Sequence, residues 1–201
     1  MAGKKLEILH AATILFAQKG YNETSIAELA RITGVAEGTI FYHFKTKIDL
    51  LLAILEDVKE NIIREFDQYM ASQQFSSGMA MLDEVIAFYL YLVGHNTEWF
   101  MLIQRHYPHE LARQNGECRR HLESIYNTLV NFFEGAILKG QLDGSIRPAP
   151  AHKTALLVFS MVNGLVWLRF NDLYDTGSLY RELLTACRHM MSLSPTDPTQ
   201  E

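Results

Sequence analysis

Residues 24–51 read TSIAELARITGVAEGTIFYHFKTKIDLL, and this stretch decides which fold the chain can adopt. Ala30 is small, Gly34 follows four positions later, and Ile40 follows six positions after that. A perpendicular pair of short helices needs a small residue at the crossing, a glycine in the turn and a branched apolar residue over the crossing. The spacing therefore predicts a helix-turn-helix, whose second helix enters the major groove in DNA-binding proteins. A helical hairpin inside a core has the same spacing and is the alternative.

The rest of the chain also reads as helical, because no segment alternates strictly between apolar and polar residues. Ser25–Glu28 and Thr46–Asp49 each match a capping box, which marks the start of a helix. Gly34 ends the short helix that begins after Ser25. We predict an all-α fold with further helices over residues 4–19, 36–44, 46–72, 78–94, 97–107, 111–139, 150–173 and 178–193.

The composition is that of an ordinary globular protein. Of 201 residues, 48% are apolar and 20% are charged, which suffices for a sizeable core. Two cysteines are too few for a disulfide framework and indicate a reducing compartment, so we expect a cytoplasmic protein. The most apolar stretch, residues 155–170, contains Asn163 and Arg169 and falls short of the roughly 20 residues that a membrane span needs. We therefore expect no membrane partner.

Charge is distributed unevenly along the chain. The formal net charge is −5, yet residues 1–50 hold six Lys and Arg against five Asp and Glu, a net of +1. The remaining residues hold twelve against eighteen, a net of −6. A nucleic-acid partner is compatible with the first of these segments, whereas the acidity of the remainder argues against such a partner there.

The opening stretch resembles the N-terminal domain of the tetracycline-repressor (TetR) family of bacterial regulators. The resemblance covers residues 4–55 and is carried by a glycine with a threonine, a run of aromatic residues with a histidine, and Lys-x-Lys before the long helix. It implies a transcriptional regulator and not an enzyme. A three-helix helix-turn-helix domain would span residues 1–50, a helical effector-binding and dimerisation domain residues 51–193, and a disordered tail residues 194–201.

Membership of that family also implies a way of working. Such proteins bind a pseudo-palindromic DNA operator as homodimers, most often as repressors, and a small molecule in the C-terminal domain releases them. Ligand binding shifts the helix that follows the recognition helix and so alters the separation of the two DNA-binding heads. No cofactor is implied.

Nine residues are expected at the DNA interface. Thr24 and Ser25 stand at a helix N-terminus, where hydroxyls and free amides suit a phosphate. Lys47 places a cation in the first turn of the long helix, where it opposes the helix dipole, so an anionic partner would explain it. The set is Thr24, Ser25, Ala36, Glu37, Gly38, Thr39, Tyr42, His43 and Lys47.

The recognition helix supplies most of this set. Gly38 lets the backbone approach the bases closely, and Thr39 can contact a phosphate or a thymine methyl group. Tyr42 and His43 are similar to the family's phosphate-contacting pair, and Phe44 is expected in the core.

Three positions depart from the family pattern. Ala36 stands where a serine is frequent, and Phe41 stands where many members carry tyrosine, so two hydroxyls are missing. Glu37 stands where many members carry lysine or arginine. Its carboxylate could complement the helix dipole or accept a hydrogen bond from a cytosine amino group, and both readings stay open.

The C-terminal part is rich in aromatic residues, which suit an apolar cavity between helices. Each of them taken singly is more often a core residue. We predict an apolar or aromatic effector. The candidate ligand-binding residues are Phe88, Tyr91, Trp99, Phe100, Tyr107, Tyr126, Phe133, Phe159 and Trp167.

A metal-responsive regulator of the same fold is the alternative function. His106 and His109 are three residues apart, as are Cys118 and His121, and together they form a nitrogen and sulfur ligand set. Pro108 leaves their relative geometry open. A helical enzyme or small-molecule-binding protein without DNA binding is a weaker alternative, because no nucleophile, base and orienting group can be assembled from the sequence.

The last two predicted helices, over residues 150–173 and 178–193, are expected to form the homodimer. Residues 155–170 are apolar on more than one face, as a helix that packs on its own subunit and on a partner would be. Gly164 permits a close approach by a neighbouring helix. A monomer that buries both faces internally is the alternative.

Overall fold

Ten α-helices and one 3-10 turn make up the part of the chain that the computed structural model describes, residues 2–192. No strand occurs among these residues, so the predicted all-α fold is confirmed. The predicted tail over residues 194–201 lies outside the described residues. The elements are α1 (Ala2–Gln18), α2 (Ile26–Thr33), α3 (Glu37–His43), α4 (Lys47–Ala71), α5 (Gly78–His95), α6 (Thr97–Gln104), α7 (His106–Gln114), α8 (Gly116–Asp143), α9 (Ala151–Phe170), the 3-10 turn (Gly177–Leu179) and α10 (Tyr180–Met191).

Helices α1 to α3 form the predicted helix-turn-helix domain. Gly34 adopts φ 65°, and its N–H donates to the carbonyl oxygen of Ala30, which ends α2 as a left-handed cap does. Leu29, Ala30 and Ile40 are buried at the crossing of α2 and α3. The small residue, the glycine and the branched residue thus occupy the positions that the spacing predicted.

The two capping boxes form to different extents. Both halves form at α4, where the Asp49 amide lies 3.1 Å from the Thr46 hydroxyl and the Thr46 amide 2.9 Å from the Asp49 carboxylate. Only one half forms at α2, where the Glu28 amide donates to the Ser25 hydroxyl at 3.0 Å. The Glu28 carboxylate instead pairs with Lys19 at 2.7 Å, which ties the start of α2 to the end of α1.

The prediction of one helix over residues 97–107 and the next from Leu111 is wrong. The backbone is extended at Arg105 and again at Asn115, so a separate helix, α7, lies between α6 and α8. The Asn115 side-chain oxygen accepts from the amides of Glu117 and Cys118, both at 2.9 Å, and therefore caps α8. The N-terminal end of α8 thus lies five residues beyond Leu111.

The ends of the last helices also differ from the prediction. α9 stops at Phe170 because the chain turns at Asp172, whose φ of 49° is left-handed. α10 begins at Tyr180 after a 3-10 turn, and the predicted end at residue 193 falls outside the described residues.

The described residues divide into two compact units. The first comprises the residues up to Glu65 together with Val93–Tyr126, and the second comprises Phe66–Leu92 together with the described residues from Asn127 onward. Helices α4, α5 and α8 each contribute residues to both units.

Aromatic side chains form much of the core of the second unit. Phe66 stacks on Phe132 with ring centroids 3.6 Å apart, and Phe133 lies 6.0 Å from Phe159. The Tyr89 hydroxyl lies 2.8 Å from the Asn163 side-chain oxygen, so its hydrogen bond joins α5 to α9. The hydroxyl of this buried tyrosine thus has a hydrogen-bond partner, as buried polar groups generally do.

Helix α9 packs with one face only. Its buried residues are Thr154, Ala155, Val158, Phe159, Val162 and Val166. At 20 residues, with a mean hydropathy of 1.3 and 28% of its most apolar window buried, α9 is long and apolar enough to cross a membrane by composition alone. The prediction that this stretch is too short is therefore wrong, although core helices of soluble proteins meet the same criterion.

Two glycines of the second unit bring α5 and α8 into backbone contact. A Cβ atom on Gly78 would lie 2.0 Å from the amide nitrogen of Gly140, and a Cβ on Gly140 would lie 2.5 Å from the Ile146 side chain. The Asp143 carboxylate accepts from the Gly78 amide at 2.6 Å and caps α5 at the same point.

We predict that Gly78→Ala lowers the free energy of unfolding by about 3 kcal/mol or more, because backbone atoms would have to separate. Urea unfolding measures the change. Gly135→Ala is the matched control: this exposed glycine lies within α8, and a Cβ there meets nothing within 4 Å. It should raise stability by about 0.5–1 kcal/mol. Equal stability of Gly78→Ala and wild type would show that α5 and α8 do not pack so closely.

Candidate nucleic-acid interface

Helix α3 exposes four of its seven residues. Ile40 is its only buried residue, whereas Tyr42 is 77% exposed and Phe41 45% exposed. Glu37 and Gly38 are exposed as well, and Thr39 and His43 are half-buried. A short helix with large aromatic side chains in solvent is shaped to meet a partner, since exposed aromatic residues are otherwise unfavourable.

A hollow of about 520 Å³ lies along this helix. It is lined by Gly38, Thr39, Tyr42 and His43 from α3 and by Lys4 from α1. A Cβ on Gly38 would meet nothing within 4 Å, so packing within the chain does not require a glycine there. The open backbone at this point allows the close approach of a base edge, as the sequence predicted.

Sequence reasoning missed Lys4. Its ammonium lies 2.7 Å from the Glu7 carboxylate on the same helix, and both side chains are more than half exposed. An exposed pair of this kind contributes little to stability, so the lysine can exchange its partner for a phosphate. The signal was present as a lysine pair near the N-terminus, but the sequence does not tell that α1 brings it beside α3.

The N-terminus of α2 differs from the prediction at one of its two residues. Ser25 is exposed and caps the helix with its hydroxyl. Thr24 is 1% exposed, and its hydroxyl donates to the carbonyl oxygen of Gly20 at 2.9 Å. The structure therefore does not place the Thr24 hydroxyl at the surface, because the turn between α1 and α2 uses it internally.

The start of α3 carries the two unusual residues Ala36 and Glu37. Ala36 is the N-cap residue and makes no side-chain capping hydrogen bond. Glu37 follows as an exposed acidic residue in the first turn. A carboxylate at this position complements the positive end of the helix, and its exposure leaves it accessible to a base edge.

Lys47 does not extend towards solvent as a phosphate-binding residue would. Its ammonium donates to the carbonyl oxygen of Tyr21 and lies 4.2 Å from the centroid of the Tyr21 ring and 5.7 Å from that of Phe16. Burial lowers the pKa of Lys47, which agrees with a cation packed against rings. The ring faces and the carbonyl explain a cation at a helix N-terminus without an anionic partner, so this geometry does not favour the predicted phosphate contact.

The other lysine of the Lys-x-Lys motif is the exposed one. Lys45 lies between α3 and α4 and is solvent-exposed, beside the buried ring of Phe44. The motif was recognised from sequence, but which of its two lysines faces outward depends on where α4 begins. We expect Lys45 to contact a phosphate.

Tyr107 and Arg105, at the junction of α6 and α7, hold the turn between α1 and α2. The ring of Tyr107 stacks on Tyr21 with centroids 4.0 Å apart and planes 8° apart. The Arg105 guanidinium donates to the carbonyl oxygen of Ala17 at 2.6 and 2.9 Å and to that of Gln18 at 2.7 Å. Burial is the main cause that raises the pKa of the Tyr21 phenol, and a hydrogen bond with Tyr107 is the second.

The nine predicted effector-binding aromatics are distributed over both units. Phe88, Phe100, Phe133 and Phe159 are buried, and the last two contact each other. Tyr107 packs on Tyr21 as described. Tyr91 and Trp167 are 54% and 49% exposed, and Trp99 and Tyr126 are half-buried. These positions leave the effector site a prediction.

The four residues of the predicted metal set lie in different surroundings and do not share one site. His109 Nε2 lies 2.8 Å from the Ile103 carbonyl oxygen, and His121 Nδ1 lies 2.9 Å from the Glu56 carboxylate. Cys118 is fully buried and donates to the Pro108 carbonyl oxygen, whereas His106 is 82% exposed. Within residues 2–192, no three His, Cys, Asp or Glu side chains come together as a metal site would require.

Comparison with known proteins decides the family. Residues 8–54 match the model of bacterial regulatory proteins of the tetR family. These residues thus form an N-terminal domain of the TetR family. The chain is therefore a DNA-binding transcriptional regulator and not an enzyme.

Individual relatives agree over nearly the whole chain. The Fatty acid metabolism regulator protein of Bacillus subtilis is 24% identical over 184 residues, which are 90% of this chain and 92% of that protein. The HTH-type transcriptional regulator AcrR of Shigella flexneri is 26% identical over 200 residues, which are 94% and 89% of the two chains. The crystal structure of the regulator FadR from Bacillus subtilis in complex with stearoyl-CoA superposes with a TM-score of 0.73 at 20% identity, covering 90% of this chain and 96% of that one.

We predict that Lys45→Ala weakens binding to all DNA sequences by a similar factor. The dependence of log K on log salt should flatten by about one unit, because one phosphate neutralisation is lost. Lys47→Ala is the control: it should leave that slope unchanged and lower the free energy of unfolding by about 1–2 kcal/mol through loss of the ring contacts. A slope change with Lys47→Ala at unchanged stability would restore Lys47 as a phosphate contact.

We predict that Glu37→Gln relaxes the preference at one base pair of each half-site, with a loss of about 1–3 kcal/mol of discrimination. Glu37→Lys should raise affinity for any DNA, because it removes a negative charge near phosphates and adds a positive one. Selection from a randomised operator library, with wild type and both variants, measures these preferences. Identical rankings in all three proteins would mean that Glu37 only complements the helix dipole.

Proposed function

We propose that this protein is a homodimeric repressor that leaves its operator when a small apolar or aromatic effector binds. The observation that carries the dimer is an exposed stripe on α9, formed by Leu156, Leu157, Ser160, Gly164 and Trp167. Leu156, Ser160, Gly164 and Trp167 recur every three to four positions and Leu157 lies next to Leu156, so the five residues share one broad face of the helix. The opposite face of α9 packs inside its own unit.

The α9 stripe is apolar in practice. Leu157 is 58% exposed and Leu156 43% exposed. The Ser160 hydroxyl donates to the Leu156 carbonyl oxygen at 2.7 Å, so its hydrogen bond is already made within the helix. A Cβ on Gly164 would meet nothing within 4 Å, which leaves room for a neighbouring helix. Burial of such a stripe against its own copy removes apolar surface from water and suits a two-fold interface.

A second copy covers the α9 stripe better than a lipid bilayer would. Lys153 and Arg169 are exposed near the two ends of the helix, and His152 Nδ1 lies 2.8 Å from the Glu134 carboxylate. The chains that resemble this one are DNA-binding regulators, whose target lies in the aqueous phase. We therefore propose a homodimer through α9 and α10, with residues 1–50 binding DNA and residues 51–193 binding effector and partner.

The proposed effector class rests on the aromatic content and on one likeness. Nine candidate aromatic residues lie beyond Leu82, and seven of them are buried or half-buried. The similar structure of FadR from Bacillus subtilis holds stearoyl-CoA, a ligand with a long apolar chain. Helix α4 follows the recognition helix and contributes residues to both units, so a displacement of α4 would reach the helix-turn-helix.

We predict that Leu157→Glu converts the dimer to a monomer, because two buried carboxylates would face each other across the two-fold axis. Light scattering measures the mass. Leu6→Glu is the matched control, since Leu6 on α1 is 59% exposed and lies far along the chain from the stripe. It should leave the mass unchanged.

Footprinting tests the same dimer on DNA. The wild-type protein should protect two major grooves about 34–36 Å apart, one helical turn, within a pseudo-palindromic site. The Leu157→Glu protein should bind that site much more weakly. Protection of a single asymmetric half-site by the wild-type protein would contradict the proposed dimer.

A further inference from the structure

Phe41 lies on α3, in the domain that binds DNA, and exposes 45% of its surface. Its ring carries no hydrogen-bond donor or acceptor, whereas the neighbouring Tyr42 and His43 carry both. Phe41 can therefore offer DNA an apolar surface but no hydrogen bond. The position of this surface on α3 determines which part of the DNA it can contact.

The seven residues of α3 divide into rows along the helix, because residues four positions apart lie on the same side. Gly38 and Tyr42 form the middle row of the exposed surface, opposite the buried Ile40. One flank lies on each side of this middle row. The two flanks are Glu37 with Phe41 and Thr39 with His43. Both residues of the first flank are exposed, whereas both residues of the second are half-buried.

The flank of Thr39 and His43 is suited to a phosphate. Both residues line the hollow of about 520 Å³, together with Lys4 from α1. A hydroxyl, an imidazole and an ammonium can each donate a hydrogen bond to a phosphate oxygen. We expect this flank to face the sugar-phosphate wall of the major groove.

The flank of Glu37 and Phe41 has the opposite chemistry. A carboxylate is repelled by phosphates, and the Phe41 ring cannot bond to them. The floor of the major groove presents base edges, which include amino groups that donate to a carboxylate and one apolar group, the C5-methyl group of thymine. This flank therefore matches base edges, whether or not Glu37 itself accepts a hydrogen bond from one.

We propose that Phe41 is a specificity-determining residue that reads the C5-methyl group of a thymine in the major groove. The ring covers the methyl group and removes apolar surface of both partners from water. Thr39 carries a methyl group as well, but it lies half-buried on the flank beside Lys4, where its hydroxyl suits a phosphate. This inference rests on DNA binding and needs neither the proposed homodimer nor an effector.

Removal of single methyl groups from the DNA tests the proposal. The full-length wild-type protein first selects a duplex from a randomised library, and each thymine of that duplex is then replaced in turn by deoxyuridine. This replacement removes the C5-methyl group and leaves every hydrogen-bonding group of the base in place. At least one replacement should weaken binding about fourfold, the effect of returning one buried methyl-sized group to water. Fluorescence anisotropy at a fixed salt concentration measures the dissociation constants.

Two variants identify the side chain that contacts the methyl group. With Phe41→Ala, the ratio of the dissociation constants for the deoxyuridine and thymine duplexes should fall from about four to about one at the sensitive position. Thr39→Ser is the matched control, because it deletes a methyl group from the other flank of α3 and keeps the hydroxyl. It should leave the ratio at about four. Thermal unfolding verifies that both variants fold.

The ratios decide the proposal without reference to the oligomeric state. A wild-type protein that is insensitive to deoxyuridine at every thymine would overturn it, and so would a methyl effect that persists in Phe41→Ala. A methyl effect that disappears in Thr39→Ser and persists in Phe41→Ala would assign the reading to Thr39 instead. A monomeric mass in light scattering would refute the proposed homodimer and leave the measured ratios standing.

Discussion

The position of the helix-turn-helix within its unit depends on the sandwich around the Tyr21 ring. Lys47 from the start of α4 lies 4.2 Å from the ring centroid, and Tyr107 stacks on it at 4.0 Å. A desolvated cation over a ring contributes up to about 2 kcal/mol, which exceeds the roughly 0.3–1 kcal/mol that a cation costs at a helix N-terminus. Arg105 strengthens the same junction, because its guanidinium donates hydrogen bonds to the last carbonyl groups of α1. One turn of chain thus connects α1, α4 and α7.

This arrangement frees α3 from holding the domain together. Ile40 alone anchors α3 in the core, and Gly34 fixes its angle to α2. Helix α1 contributes Ile8, Ala12 and Phe16 to the buried core. A seven-residue helix is too short to be stable by itself, so its neighbours must supply its order. The consequence is a helix that is held by its neighbours and keeps Glu37, Gly38, Phe41 and Tyr42 available to DNA.

The sequence was sufficient for features that neighbouring residues determine. The turn at Gly34, the burial of Ile40 and the helical class follow from spacing and local backbone preference, and they were predicted. The buried hydroxyl of Thr24 and the inward direction of Lys47 were not foreseen, because the direction of a side chain depends on contacts with residues far along the chain, such as the Tyr21 carbonyl group for Lys47. The cap at Asn115 was missed because an Asn-Gly pair occurs in many kinds of turn.

The balance of charges bears on how such a regulator finds its site. The first 50 residues hold six Lys and Arg. Two of the six make contacts within the protein, because Lys19 pairs with Glu28 and Lys47 packs on Tyr21. The whole chain carries a formal charge of −5, which opposes the approach of any DNA. Attraction to phosphates at random sequence therefore depends on the few basic side chains around α3. Discrimination depends on the contacts of α3 with base edges, and in the proposed dimer two such helices would read a single operator.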